Sequence, residues 1–265
     1  MDIKELNVTT SHQKKHHPWE EARLKVINNL TSSFFHGTTN KNILDIGCGD
    51  VFFINEFCKK HKNLTPYVVD IAFTDELIEN LKKEYQNDKI SYYKDVKDVN
   101  IVEGKANVIF LLDVIEHIEN DIDFLNDLTK LSYVDDNTLF IITVPSFNNL
   151  YCNRDKWLGH YRRYSRKMLI ERAQRSGLYV ANNNSNNSGY FFFLPLFLRL
   201  IQKLMDSKSS EQEEKGIGNW NGGKLVTSIY KNLLLCDFYV SRFLFNIGIK
   251  LPGLSTYLIC RKQKD

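Results

Sequence analysis

Short apolar runs alternate with segments of helical periodicity over the first 180 residues of the chain. Near-continuous apolar runs at 42–46, 67–70, 90–93, 106–112 and 139–144 predict strands buried on both faces. Apolar residues at helical spacing predict helices at 18–30, 53–60, 74–85, 121–131 and 166–176. The alternation predicts an α/β fold, a doubly wound and mostly parallel seven-stranded sheet with helices on both faces.

The pattern changes after Leu178. Residues 178–182 and 255–260 predict the sixth and seventh strands, and the long interval between them predicts a helical C-terminal insertion before the last strand. We therefore divide the chain into a loose N-terminal segment (1–15), a ligand-binding domain (16–188), an aromatic-rich helical insertion (189–254) and the last strand with the C-terminus (255–265). Within the insertion, residues 206–224 predict a flexible linker and 225–249 a helix.

The helix predicted at 225–249 is apolar on more than one side. One stripe comprises Ile229, Leu233, Cys236, Val240, Leu244 and Ile247, whereas Leu234, Phe238 and Phe245 lie opposite. Such a helix is packed on several sides or meets lipid. Two interpretations stay open: a cap helix in the protein core, and an interfacial helix or apolar acceptor pocket that gives peripheral membrane contact.

Composition and charge narrow the class of protein. The chain has 265 residues, 43% of them hydrophobic, and its net charge of +3 is too mild to predict a nucleic-acid partner. Five scattered cysteines argue against a disulfide framework or a zinc site and favour a reducing compartment. The longest apolar run, residues 190–198, is interrupted by Pro195, so we expect no spanning helix and a cytoplasmic location. The oligomeric state stays open.

A glycine-containing turn follows the first predicted strand. Asp45 precedes Gly47 and Gly49, and such a turn lets the backbone approach a nucleotide-like ligand closely. Phe52 stands where a dinucleotide-binding fingerprint has its third glycine, and the Asp45 carboxylate suits a cationic ligand group rather than a phosphate. Asp70 ends the next strand, 21 residues after Gly49, where an acid can bind a ribose diol; alternatively it caps the following helix.

These motifs resemble those of the class I S-adenosylmethionine (SAM)-dependent methyltransferases, in order and spacing, from about Trp19 to Val180. The segments 43–49, 68–71, 93–96 and 111–117 are similar to the family's first four motifs. The resemblance implies SAM as cofactor and an acid at Asp95 that meets the adenine amino group. It implies thirteen cofactor-binding residues: Arg23, Asp45, Gly47, Cys48, Gly49, Asp50, Asp70, Ile71, Asp95, Val96, Leu112, Asp113 and Val114.

Two positions within this resemblance carry further expectations. The family often has a third glycine where this chain has Val51, and a β-branched residue there crowds the helix start, so we expect weaker cofactor binding. Trp19 and Arg23 resemble part of a leading helix that closes over the cofactor. Arg23 would then pair with the methionine carboxylate of SAM, or would simply be solvated.

The acceptor of the methyl group is expected near His160. This residue lies in the run 157–165, just beyond the fifth strand, and an imidazole near neutral pKa is a natural base for a hydroxyl acceptor. The aromatic and cationic residues of the run suit an anionic or ring-bearing acceptor. We predict Trp157, Tyr161, Arg162, Arg163 and Tyr164 as substrate-binding residues, although the arginines could instead pair with surface acids.

His117 is the second candidate catalytic residue. If a helix follows the fourth strand, Asp113, Glu116 and His117 share one face and could hold a divalent metal. Their run is similar to one found in some metal-assisted O-methyltransferases of quinones and small RNAs. No fourth ligand is evident, so we predict no metal, with Glu116 and His117 shaping the cofactor pocket or capping the helix.

The sequence thus predicts a SAM-dependent methyltransferase acting on a small or lipid-linked acceptor, with oxygen as the favoured acceptor atom. A nucleotide-binding oxidoreductase and a catalytically degenerate Rossmann-like binding protein stay as alternatives.

Overall fold

The computed structural model describes residues 16–35, 37, 39–180, 187–193, 196, 222–249 and 251–264. The segment 1–15, predicted to be loose, and residues 206–221 of the predicted linker lie outside the described residues. The five cysteines all lie within them and are free thiols.

One mixed sheet forms the centre of the molecule. The strands are Lys41–Ile46 (β1), Leu64–Val69 (β2), Ser91–Tyr93 (β3), Ala106–Leu112 (β4), Leu139–Pro145 (β5), Leu178–Tyr179 (β6), Asn187–Tyr190 (β7) and Ser255–Lys262 (β8). Their order across the sheet is β3-β2-β1-β4-β5-β8, and β6 and β7 pair with successive stretches of β8. Strands β1 to β5 are parallel, whereas β8 is antiparallel to β5.

The predicted seven-stranded, mostly parallel sheet is confirmed, with its outer position shared by two short strands. The sequence analysis missed β7, because its residues lie across the predicted boundary between the ligand-binding domain and the insertion. In β7, Gly189 crosses Gly253 so closely that a Cβ atom on Gly189 would lie 1.8 Å from the Gly253 nitrogen. Glycine is therefore required at this crossing.

Helices cover both faces of the sheet. They are Pro18–Thr31 (α1), Phe52–Lys60 (α2), Asp75–Tyr85 (α3), Asp121–Thr129 (α4), Asn153–Leu158 (α5), Arg166–Arg175 (α6) and Lys224–Asn246 (α7). Consecutive residues of β4 point to opposite faces: Phe110 packs in one buried cluster with Phe57 of α2, and Ile109 in the other with Leu169 of α6. Ser165 caps α6, since its hydroxyl accepts from the Met168 amide at 3.1 Å.

Helix α7 is buried on one side only. Leu234 and Phe238 pack in the cluster that also contains Val26 of α1, and Lys231 forms an ion pair with Glu21 of α1 at 2.7 Å. The predicted stripe lies largely on the other side, where the exposed large apolar residues are Leu225, Val226, Ile229, Leu233, Tyr239, Val240, Phe243 and Ile247. Among the described residues, no helix combines the length and the apolar character that crossing a bilayer requires.

Val51 gives helix α2 an unusual start. Its φ of 64° lies in the left-handed region, and its side chain is buried. A β-branched residue in that conformation is a backbone outlier that costs about 1–2 kcal/mol. Burial of the valine side chain, worth about 1.5–3 kcal/mol, offsets this strain.

We expect Val51→Gly to be more stable than Val51→Ala by about 1 kcal/mol, because glycine alone adopts the left-handed conformation without strain. Urea unfolding of the two variants measures the difference. As a matched control, Ala173→Gly in α6 should lose about 1 kcal/mol or more relative to the parent protein, the usual direction in a helix. A Val51→Gly variant less stable than Val51→Ala would contradict the strain at this position.

Candidate active site

A cavity of about 960 Å³ opens at the carboxyl ends of the parallel strands. This is the edge where ligands bind in open α/β sheets, next to the switch point between β1 and β4. Gly49, a predicted cofactor-binding residue, does not line the cavity, but its amide donates to Asp70 Oδ2 at 2.9 Å and so joins the glycine loop to Asp70. The other twelve predicted cofactor-binding residues line the cavity: Arg23, Asp45, Gly47, Cys48, Asp50, Asp70, Ile71, Asp95, Val96, Leu112, Asp113 and Val114.

The turn between β1 and α2 depends on Gly47. Its φ of 71° is left-handed, and a Cβ atom there would lie 2.7 Å from Cγ2 of Val114. The loop after β1 therefore approaches the loop after β4 so closely that only glycine fits at position 47.

Three buried carboxylates share the floor of the cavity. Asp45, Asp50 and Asp70 are each no more than 3% exposed. Burial raises the pKa of Asp45 to about 7; Arg23 lowers it in part, whereas Asp70 and Asp50 raise it further. A cation placed beside Asp45 would favour its ionised form, so the site is suited to a positively charged ligand group.

Asp70 holds the glycine loop as well as facing the cavity. Besides its bond to Gly49, its Oδ1 atom accepts from the Ala72 amide at 3.0 Å. It does not cap the following helix, because the N-cap of α3 is Thr74. A carboxylate can accept several hydrogen bonds, and an acid at the end of this strand can bind a ribose diol while it holds the loop.

The rim near β3 combines a carboxylate with apolar surface. Asp95 caps a short 3₁₀ helix, its Oδ1 accepting from the Lys97 amide at 2.8 Å. Ile71 is 89% exposed although it is apolar, and it lines the cavity together with Val96. Exposed apolar surface beside an acceptor oxygen suits a flat heterocycle with an amino group.

Arg23 reaches from α1 into the cavity and pairs with Asp113. Its Nη1 atom lies 2.5 Å from Asp113 Oδ2, and Asp113 Oδ1 accepts from the Thr143 hydroxyl at 3.0 Å. Burial lowers the pKa of Arg23, but Asp113, Tyr190 and Glu20 together hold the pKa above its usual value. Arg23 is therefore not simply solvated, and it joins α1 to the end of β4.

Asp113, Glu116 and His117, for which the sequence predicts no metal, do not share a helical face in the structure. Asp113 has a φ of 60° and ends the strand, so no helical turn links it to the short 3₁₀ helix Ile115–His117. The structure instead brings His160 to Glu116 and His117, with one ligand atom of each within 4.8 Å of the others. The rings of His117 and His160 meet edge to face at 4.6 Å.

Asp155 orients His160, and the sequence analysis missed it. Its Oδ1 atom lies 3.0 Å from His160 Nδ1 and accepts from Arg163 Nε at 2.8 Å, while Oδ2 accepts from the Cys152 amide at 2.9 Å. Burial raises the pKa of Asp155, but the bonds from His160 and Arg163 lower it well below its usual range. The helix Asn153–Leu158 that carries Asp155 was itself not predicted, so no signal in the sequence indicated this contact.

The run 157–165 contributes fewer cavity residues than predicted. His160 and Arg163 line the cavity, whereas Trp157, Tyr161, Arg162 and Tyr164, all described, do not. Arg162 donates to the carbonyl oxygens of Ile118 and Glu119, and the buried Tyr164 hydroxyl bonds Asp121 at 2.6 Å. The bonds of Arg162 and Tyr164 join the loop after β5 to the loop after β4. Binding of the substrate by the four residues stays a prediction.

Comparison with known proteins agrees with this arrangement. A family model described as "Methyltransferase domain" matches residues 19–183, more than half of the chain. This chain belongs to the class I SAM-dependent methyltransferases. Its cofactor is SAM. The oxidoreductase alternative is thereby set aside.

Solved structures share the fold of this methyltransferase at low identity. A putative sarcosine dimethylglycine methyltransferase from Galdieria sulphuraria is 11% identical, with a TM-score of 0.54 over 98% of this chain and 96% of the other. The plantazolicin methyltransferase BamL, in complex with a substrate analogue and S-adenosylhomocysteine (SAH), is 15% identical, with a TM-score of 0.52 over 98% and 89%. Coclaurine N-methyltransferase is 13% identical, with a TM-score of 0.53 over 92% and 70%. No curated protein matches the sequence.

The raised pKa of Asp45 predicts pH-dependent cofactor binding. Below about pH 7 the carboxyl is protonated and neutral, so it cannot pair with the ammonium group of the ligand. We expect SAH affinity to rise with pH between 5.5 and 7.5, by up to about tenfold per unit on the acid side, with a proton released on binding. Calorimetry at pH 6 in two buffers of different ionisation enthalpy measures that proton.

The matched control is Asp45→Asn, which keeps the shape of the side chain without its titration. Its SAH affinity should be lower and nearly independent of pH over the same interval. A parent protein whose affinity is equally flat would show that Asp45 does not meet the charged group.

Proposed function

We propose that this methyltransferase holds SAM along the acidic edge of the sheet and transfers the methyl group to a hydroxyl of a small acceptor beside His117 and His160. The observation that carries the proposal is that one cavity is lined by acids from the ends of four strands and by the imidazoles of His117 and His160. The four acids are Asp45, Asp70, Asp95 and Asp113. Methyl transfer needs the acceptor atom in line with the leaving sulfur, so both ligands must share one enclosed space.

The cofactor side of the cavity supplies one group for each part of SAM. Asp70, joined to the glycine loop, accepts from the ribose hydroxyls, and Asp95 accepts from the adenine amino group while Ile71 covers the ring. Asp45 meets the ammonium group. Arg23 remains our proposed partner of the methionine carboxylate, in addition to its observed pairing with Asp113.

The acceptor side is the end with His117 and His160. An imidazole there can take the proton that a hydroxyl loses as it attacks the methyl carbon. Arg154 also lines the cavity and adds a cation that suits an anionic acceptor. Nitrogen is the competing acceptor atom, because coclaurine N-methyltransferase shares this fold; a nitrogen acceptor needs less help from a base.

Removal of the Asp70 carboxylate tests the cofactor assignment. We expect Asp70→Ala to lower SAH affinity by about a hundredfold or more, since two hydrogen bonds to a charged group contribute about 1.5–3 kcal/mol each. Calorimetry with SAH measures the loss. The control Asp123→Ala removes an exposed acid that does not line the cavity and should bind SAH like the parent protein. Equal affinities in the two variants would refute the ribose assignment.

Turnover is tested with methyl-labelled SAM and cell extract separated into lipid, quinone and sugar fractions. The proposal expects label in one fraction with the parent protein and none with Asp70→Ala. No transfer into any fraction, despite tight SAH binding, would favour the catalytically degenerate binding protein.

A lipid-linked acceptor is the second candidate, and the exposed face of α7 favours it. That face carries Leu233, Val240 and Phe243, whereas Tyr230 on the same helix lines the cavity. A helix with an apolar outer face can lie in the interface of a bilayer. The acceptor could then reach the cavity from the membrane surface.

Flotation with anionic liposomes tests this contact. We expect the parent protein to float in part and the double variant Val240→Glu, Phe243→Glu to stay at the bottom, because charged side chains are costly to place in the apolar interface. The matched control Val102→Glu changes a valine that is 84% exposed away from α7 and should float like the parent. A parent protein that remains entirely at the bottom would exclude membrane contact under these conditions.

A further inference from the structure

Three side chains with metal-binding atoms meet at the acceptor end of the cavity. Glu116 follows β4 and is fully buried, His117 is its neighbour, and His160 comes from the loop after α5. One ligand atom of each lies within 4.8 Å of the others, and all three residues line the cavity. Two imidazoles and a buried carboxylate from two separate loops form a more specific set than a cluster of surface acids.

His160 is held in the orientation that a metal ligand needs. Its Nδ1 atom bonds Asp155 Oδ1 at 3.0 Å, which leaves Nε2 as the nitrogen that can bind another group. Asp155 is itself fixed by Arg163 and by the Cys152 amide. Histidines that bind metals usually donate their second ring N–H to a carboxylate in this way, which sets the tautomer and makes the ligand more basic.

We propose that Glu116, His117 and His160 bind one divalent transition-metal ion of the zinc class. Two imidazoles favour zinc, cobalt or nickel over magnesium or calcium, which prefer oxygen ligands. Three ligand atoms within 4.8 Å of one another lie about 2.8 Å or less from a point between them. A zinc–nitrogen bond is about 2.1 Å long, so each ligand atom would have to move by less than about 1 Å towards an ion at that point. The position facing the cavity stays open, as in catalytic rather than structural zinc sites.

The cation would act on the acceptor hydroxyl, and in this respect the inference rests on the proposed function. An oxygen bound to zinc gives up its proton to water near neutral pH. A lone pair of the acceptor oxygen then forms the new bond to the methyl carbon while the carbon–sulfur bond breaks. The electron pair of the broken carbon–sulfur bond stays on the sulfur of SAH, which is neutral. With the cation bound, His117 and His160 would act as its ligands and water would take the proton; without it, an imidazole of the pair is the base described above.

Cobalt titration of the untagged full-length protein tests the site. We expect one equivalent of Co²⁺ to give visible absorption bands of a site with four or five ligands, and one equivalent of Zn²⁺ to remove them. His117→Ala, His160→Ala and Glu116→Gln should each weaken Co²⁺ binding by about tenfold or more. His61→Gln, which changes a described histidine outside the cavity, should titrate like the parent protein.

SAH calorimetry on the same variants separates this inference from the proposed function. Unchanged SAH affinity shows that each variant is folded, so a loss of Co²⁺ binding is then assigned to the missing ligand. A parent protein that binds SAH but shows no saturable cobalt bands overturns the metal site alone. Saturable cobalt binding without SAH binding overturns the cofactor assignment and leaves the metal site standing. Variants that bind Co²⁺ as tightly as the parent overturn the assignment of the ligands.

Discussion

The parallel sheet, covered on both faces, is the constraint on which the site depends. Because β1, β2, β3 and β4 run in one direction, the acids at their carboxyl ends lie at the same edge. Asp45, Asp70 and Asp113 are brought together there while the helices exclude water from the strands behind them. Burial at this edge raises the pKa of Asp45, and the neighbouring acids Asp70 and Asp50 raise it further, so a cationic ligand would favour its ionised form.

The described residues include six non-glycine residues with a positive φ, of which Asp113 lines the cavity. Val51, Asp113, Phe147 and Phe191 all have positive φ angles near 60°, although none is glycine. Two of them directly follow strands β4 and β7, and Val51 starts the helix after the glycine loop. Residues in this conformation persist only where surrounding packing overrides the local preference, and such positions cluster at functional sites. Here the packing is visible: Val51 is buried, and Phe191 meets Trp19 of α1 at 4.7 Å.

The loops after β4 and β5 form one unit. The Tyr161 amide donates to the Glu116 carbonyl oxygen at 2.8 Å, and Arg162 holds the two carbonyl oxygens that follow His117. The Tyr164 hydroxyl adds a bond to Asp121, which also pairs with Arg172. These bonds hold the segments that carry His117 and His160 together, so Arg162 and Tyr164 contribute to the geometry of the site.

The sequence by itself determined the order of the first five strands, the helices between them and the acids at the strand ends. Apolar periodicity and the spacing of the glycine loop are local properties, and each survives in the structure within a few residues. Tertiary structure alone decided the rest: that Arg23 meets Asp113 ninety residues away, that Asp155 orients His160, and that His160 rather than Asp113 joins Glu116 and His117. These pairings depend on how packing brings together loops that follow different strands. No local pattern along the chain specifies which residues of two such loops will meet.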